Sequence, residues 1–190
     1  MTIHDASKKK KKDDKNQDDD SVRKLTTGEV ALARTVFGNR IDYEKVKIHH
    51  GSYLPFGLQG ENVAMTPNGE LYFRHWHRPD FSKTSADLQH LFIHEMTHVW
   101  QREKGMNVLG RGMFSWLASY HYQLDGRLLS EYPMEQQAQI VADHFTLESQ
   151  GYDIWLRLKG GRFPDITLDG DVTESVIRTE YKNALRGFPW

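Results

Sequence analysis

His94-Glu95-Met96-Thr97-His98 places two histidines four residues apart with a glutamate beside the first, and it is the stretch of this chain best suited to chemistry. On a helix, four residues climb about 6 Å and return to nearly the same face, so both imidazoles can reach one divalent ion at about 2.0–2.1 Å. Glu95 is then placed to reach a water beside the ion and not the ion itself. Zinc brings the pKa of its water from about 15.7 toward about 7, and a neighbouring carboxylate takes the remaining proton as the water attacks a polarised carbonyl. The pattern points to hydrolysis more strongly than to two unrelated helix histidines.

The longer form H-E-x-x-H-x-x-G-x-x-H is absent, because Gln101 and Lys104 stand where its glycine and third histidine would fall. A third ligand must come from farther along. Glu135 leads, since it follows Pro133 in the first turn of an expected helix, shares a face with the small Ala138 and Ala142, and has Gln139 one turn later to orient it. Glu131, Asp143 and His144 remain rivals, and a first-turn glutamate can also serve the helix dipole alone. His90 cannot share the ion with His98, because two turns separate them by about 12 Å. Tyr132, near Glu135, could donate a hydrogen bond to a developing oxyanion, with Tyr120 and Tyr122 as alternatives. His75 and His77, alternating around Trp76 on an extended segment, suit substrate contact better than metal binding, and Asp165, Asp169 and Asp171 lack the spacing of a calcium loop.

Apolar residues at Leu88, Leu91, Phe92, Met96, Val99 and Trp100 predict the helix that carries the motif, with N-cap candidates over Ser82 to Ser85 and a stop at Gly105. A second helix is expected over Pro133 to Ser149, a short one over Phe114 to Ser119, and a last one from Thr173. Thr26 and Glu29 have capping-box spacing ahead of a further helix that ends at Gly38. Between these, Val46 to His50 alternates, and Val63 to Thr66 and Leu71 to Phe73 flank the turn sequence Pro67-Asn68-Gly69. Those segments predict a small, mostly antiparallel sheet.

The chain has 190 residues, no cysteine and a formal net charge of -1. That length suits one domain, and the missing cysteines exclude disulfides and thiolate sites. Basic residues form no stripe interleaved with aromatics, so nucleic acid is not an expected partner. No apolar run approaches the roughly 20 residues of a membrane span, and the N-terminus carries charge where a signal peptide needs an apolar stretch. Residues 1–23, with Lys8 to Lys12 followed by several aspartates, read as a disordered charged tail. Residues 24–190 read as the folded domain, with 151–190 a helical addition at its C-terminal end.

Thr27-Gly28-Glu29-Val30-Ala31-Leu32-Ala33-Arg34, Val36-Phe37-Gly38, Ile41-Asp42-Tyr43, the segment His94 to Gln101, and Glu135-Gln136-Gln137-Ala138 together resemble the zincin-like metallopeptidase toxin domains associated with type VI secretion spike proteins. The resemblance covers residues 25–151. It implies an α+β zincin-like (gluzincin-type) fold with a small antiparallel sheet, an active-site helix and a second ligand-bearing helix. It also implies Zn2+ held by His94, His98 and Glu135, with Glu95 as the base. The expected role is a bacterial effector exported from the cytoplasm by a signal-peptide-independent route. Its target would be protein or peptidoglycan peptide in the recipient periplasm, with a secretion-spike or immunity protein as partner. A catalytically inactive zinc-binding interaction module is the alternative.

Overall fold

The computed structural model describes residues 21–108, 120–161 and 165–190. Most of the expected charged tail, and the short helix expected over Phe114 to Ser119, lie outside the described residues. Three short strands, β1 (Ser21–Lys24), β2 (Lys47–His50) and β3 (Leu71–Phe73), form a sheet in the order β1-β2-β3. Five α-helices occur among the described residues: α1 (Thr27–Phe37), α2 (Ala86–Glu103), α3 (Met134–Gln150), α4 (Tyr152–Lys159) and α5 (Glu174–Ala184). None of them is long and apolar enough to cross a membrane.

The sheet departs from expectation in two ways. β1 pairs antiparallel with β2, but β2 and β3 run parallel, so the sheet is mixed. The expected hairpin around Pro67-Asn68-Gly69 contracts to one antiparallel bridge between Met65 and Tyr72. β3 therefore takes its main partner from β2, at the end of a connection over residues 51–70 long enough to turn the chain back into the same direction. Ser21–Lys24 forms an edge strand, so residues 21–23, which composition assigns to the tail, are part of the sheet.

A buried carboxylate explains why β1 stays in place. Arg23 donates two hydrogen bonds of 2.8 Å to the two oxygens of Glu29, and a third of 2.7 Å to Arg78 O. Glu29 also accepts from Thr26 N at 2.8 Å and from Phe81 N at 2.9 Å, while Thr26 Oγ1 accepts from Glu29 N at 3.1 Å. The capping box read from Thr26 and Glu29 is thus present, and its glutamate also ties β1 and α1 to the turn that leads into α2. A Cβ at Gly28 would sit 2.2 Å from Ser82 Oγ, so a larger residue there would displace the hydroxyl that bonds Asp80.

α2 is the central element, and nearly every residue from Gln89 to Gln101 is buried. One face packs Phe92, Met96, Val99 and Trp100 into the apolar core with Phe37, Ile48, Phe73 and Phe81. The opposite face is polar yet also covered, by α3 lying antiparallel to it. Gln89 meets Gln150 near one end and Gln101 meets Gln137 near the other, at 3.0 and 3.1 Å. Burying polar groups is costly unless each finds a partner, so this interface needs an explanation beyond folding.

Candidate metal centre

His94 and His98 project from α2 toward the first turn of α3, where Glu135 stands. Glu135 Oε2 lies 3.4 Å from His94 Nε2 and 3.2 Å from His98 Nε2. One donor atom from each residue falls within 4.8 Å of the others, and this is the group of three or more such side chains found among the described residues that could hold a metal ion. The two imidazole rings meet edge to face with centroids 5.0 Å apart, an arrangement in which their lone pairs can converge. Two imidazole nitrogens and one carboxylate oxygen form a donor set that fits a divalent ion.

The electrostatics of the metal-free pair agree with that fit. Burial opposes charge on His98, yet the Glu135 carboxylate against it, aided by Glu95 and Gln101, raises its pKa to about 9. Burial pushes Glu135 the other way, but His98 and His94 hold it well below the usual carboxylate range. Without an ion, a proton on His98 offsets the charge that a metal would otherwise neutralise.

The two histidines are braced unequally. His98 Nδ1 donates to Gln101 Oε1 at 2.8 Å, which directs its Nε2 at Glu135. Gln101 is itself fixed by donating to Met134 O at 2.9 Å and to Gln137 Oε1 at 3.1 Å, so the first turn of α3 holds both the carboxylate and the group that orients its partner. Gln137 in turn donates to Tyr132 O at 2.8 Å. Among the described residues, His94 Nδ1 is buried with no hydrogen-bond partner, and its ring packs against Tyr120 at 5.9 Å between centroids.

Glu95 points elsewhere, as its place one residue after His94 requires. Its Oε2 accepts a 2.6 Å hydrogen bond from Thr66 Oγ1, in the segment just before β3. Glu95 and His94 both line a cleft of about 420 Å³ whose apolar wall includes Val63, Trp76, Leu88 and Leu91. The base candidate and one metal-ligand candidate therefore face the same open space.

The remaining expected residues fall in different places. Tyr132 directs its hydroxyl to Gln123 O at 2.9 Å and Asp125 Oδ1 at 3.1 Å, with Arg127 over its ring. Tyr122 is buried against Asp143, whereas Tyr120 lines the cleft. Gln139 does not orient Glu135; its amide donates to Asp143 Oδ1 at 2.7 Å. His49 bonds Glu70 at 2.6 Å and His50 stacks on His77. Sequence reasoning missed the roles of Gln101 and Thr66. Gln101, three residues after His98 on the same face, carried a detectable signal, and Thr66 carried none.

No family model matches the chain. Over 132 residues it is 43% identical to the type VI secretion system spike protein VgrG2b of Pseudomonas aeruginosa, a match covering 65% of this chain and 13% of that protein. The solved effector domain of Pseudomonas aeruginosa VgrG2b aligns with a TM-score of 0.62 at 36% identity, over 82% of this chain and 88% of that one. The chain belongs to the VgrG2b effector-domain family. The match spans only about an eighth of the whole spike protein.

Proposed function

We propose that this effector-family domain is a zinc metallopeptidase with a zincin-like fold, exported by the type VI route and acting on cell-envelope protein or peptidoglycan peptide in a recipient periplasm. The observation that carries the reading is the convergence of His94, His98 and Glu135, with Glu95 beside them in an open cleft. A site that held metal for folding alone would gain nothing from a carboxylate facing substrate space.

Bound by these three residues, zinc supplies Lewis acidity that polarises a carbonyl and acidifies water. Glu95, one oxygen tethered by Thr66, takes the proton of the attacking water on its other oxygen and passes it to the leaving nitrogen. Gln101 keeps His98 Nδ1 protonated, so that Nε2 presents its lone pair. Val63, Trp76, Leu88 and Leu91 exclude water from one side of the cleft and accept apolar parts of a peptide.

Expression of the wild type and Glu95→Ala, directed in turn to the cytoplasm and the periplasm of a sensitive bacterium, tests this function. Periplasmic toxicity that disappears in the variant, with zinc content unchanged, supports hydrolysis. Equal toxicity without the carboxylate rejects hydrolysis and leaves a zinc-binding interaction module. Mass spectrometry of peptidoglycan and envelope proteins incubated with the purified enzyme then identifies the substrate.

A further inference from the structure

The cleft lined by His94 and Glu95 is also lined by His90, one turn earlier on α2. His90 Nε2 lies 2.7 Å from Asp143 Oδ1 on α3. Asp143 has no exposed surface, and both of its oxygens are surrounded by donors. Oδ1 also receives the Gln139 amide at 2.7 Å, while Oδ2 receives the Tyr122 hydroxyl at 2.7 Å and Thr167 N at 3.3 Å. The Tyr122 hydroxyl is backed in turn by that of Tyr181 at 2.6 Å.

This environment determines how His90 is oriented. A nitrogen and a carboxylate oxygen approach to 2.7 Å only with a proton between them, and an oxygen already receiving an amide N–H is the acceptor. Nε2 is therefore the donor, and the ring is locked with Nδ1 on its other side. No hydrogen bond occupies Nδ1 among the described residues, and it is not among the buried polar atoms lacking a partner. His90 lines the cleft, and Nδ1 is the ring nitrogen that Asp143 leaves uncommitted. His90 is the basic side chain in contact with the buried Asp143 carboxylate.

We propose that His90 is a further catalytic residue, whose Nδ1–H donates a hydrogen bond to the substrate carbonyl oxygen as negative charge develops there, with Asp143 as the group that positions it. The inference rests on the hydrolase reading above. It supplies the oxyanion donor that reading needs, from a rigid helix one turn from His94, whereas the Tyr132 hydroxyl is committed to Gln123 and Asp125. No bond forms or breaks at His90, and its proton stays on the ring. Removing one such donor from an active site costs about 100-fold or more in rate.

The test uses the zinc-loaded full chain and two probes: acetohydroxamate, which binds the metal, and a phosphinic pseudotripeptide with apolar side chains, whose tetrahedral oxyanion mimics the developing charge. His90→Phe is expected to keep zinc stoichiometry and acetohydroxamate affinity, to weaken the phosphinate about 100-fold, and to lose periplasmic toxicity. Asp143→Asn keeps the packing and is expected to weaken the phosphinate about tenfold, which guards against a His90 variant that fails to fold. In the wild type, the nitrogen resonance of His90 Nδ1 should shift when the phosphinate is added and not when acetohydroxamate is. Wild-type phosphinate affinity or toxicity in both variants overturns the role of His90, and so does loss of zinc from folded His90→Phe. If Glu95→Ala is as toxic as the wild type, the hydrolase reading falls first and takes this inference with it.

Discussion

Gln101→Leu isolates the brace on the candidate metal centre without touching a proposed ligand. Gln101 is fully buried and makes three hydrogen bonds, to His98 Nδ1, Met134 O and Gln137 Oε1, at 2.8, 2.9 and 3.1 Å. Leucine fills a similar volume but removes all three, leaving His98 Nδ1 and Gln137 Oε1 buried and unsatisfied. Two such orphans cost about 1–3 kcal/mol each in the fold. The larger consequence is at the metal. His98 loses the acceptor that fixes its tautomer and ring angle, a loss that typically weakens metal binding about 10–100-fold, or about 1.4–2.7 kcal/mol.

Competition against a chromophoric chelator at fixed pH reads the zinc affinity, and thermal unfolding of chelator-treated protein reads the fold separately. Gln101→Glu retains an acceptor for His98 Nδ1 and should hold zinc better than Gln101→Leu. Gln137→Ala removes only the outer contact and should fall between wild type and Gln101→Leu. A folded Gln101→Leu protein with wild-type zinc affinity would refute the claim that this side chain aims His98.

Glu135→Ala should purify without stoichiometric zinc, and elemental analysis showing full zinc would reject Glu135 as a ligand. Thr66→Val removes a 2.6 Å hydrogen bond to Glu95; it should leave zinc content intact while periplasmic toxicity requires roughly tenfold more protein, consistent with losing a charge-assisted bond of about 1.5 kcal/mol. Because His98 is protonated up to about 9 in the metal-free protein, zinc must displace one proton, so apparent affinity should rise about tenfold per pH unit below that value and level off above it; calorimetry in buffers of different ionisation enthalpy counts the proton, and a flat profile contradicts the pairing. In the metal-free fold, the raised His98 pKa contributes stability that is complete below its ordinary 6.5 and lost as pH rises through about 9. The lowered Glu135 pKa contributes stability present above its ordinary 4.5 and lost as pH falls through its depressed folded value. Melting temperature of chelator-treated wild type, compared with Glu135→Gln, should show the largest pair contribution between 4.5 and 6.5.

Local signals carried far in this sequence where the physics is local. Thr26 and Glu29 satisfy each other within one turn, and His94 and His98 share a helix face by spacing alone. Glu135 could be singled out as a first-turn carboxylate, but only the packing of α3 on α2 separates it from Glu131, Asp143 and His144. β1 was not legible, since what holds Arg23 is a glutamate on α1 and a carbonyl at Arg78. α4 escaped notice for a different reason: Gly151, at a φ of 88°, ends one helix and immediately starts another of only eight residues, anchored by Trp155. Thr66 sits in a segment that reads as a strand, and its bond to Glu95 spans 29 positions.

The polar interface between α2 and α3 follows from a matched repeat. His90, His94 and His98 recur every four residues on one helix, and Glu135, Gln139 and Asp143 recur every four on the other. Ridges of that spacing are the surfaces by which helices commonly pack, and with the helices antiparallel the first member of one ridge faces the last of the other. Glu135 accordingly meets His98 and His94, while Asp143 meets His90. Apolar residues at these six positions would pack with no desolvation cost, so folding does not account for them. A single helix pair that carries the candidate metal ligands at one end and a braced histidine at the other holds both in fixed relation to one cleft. Such fixed geometry is what transition-state stabilisation needs, because donors already aimed at a developing charge need no reorganisation when it forms. Any shift of α3 along α2 therefore misaligns both ends together, and metal affinity and the response to the phosphinate should fail jointly in variants that loosen this packing.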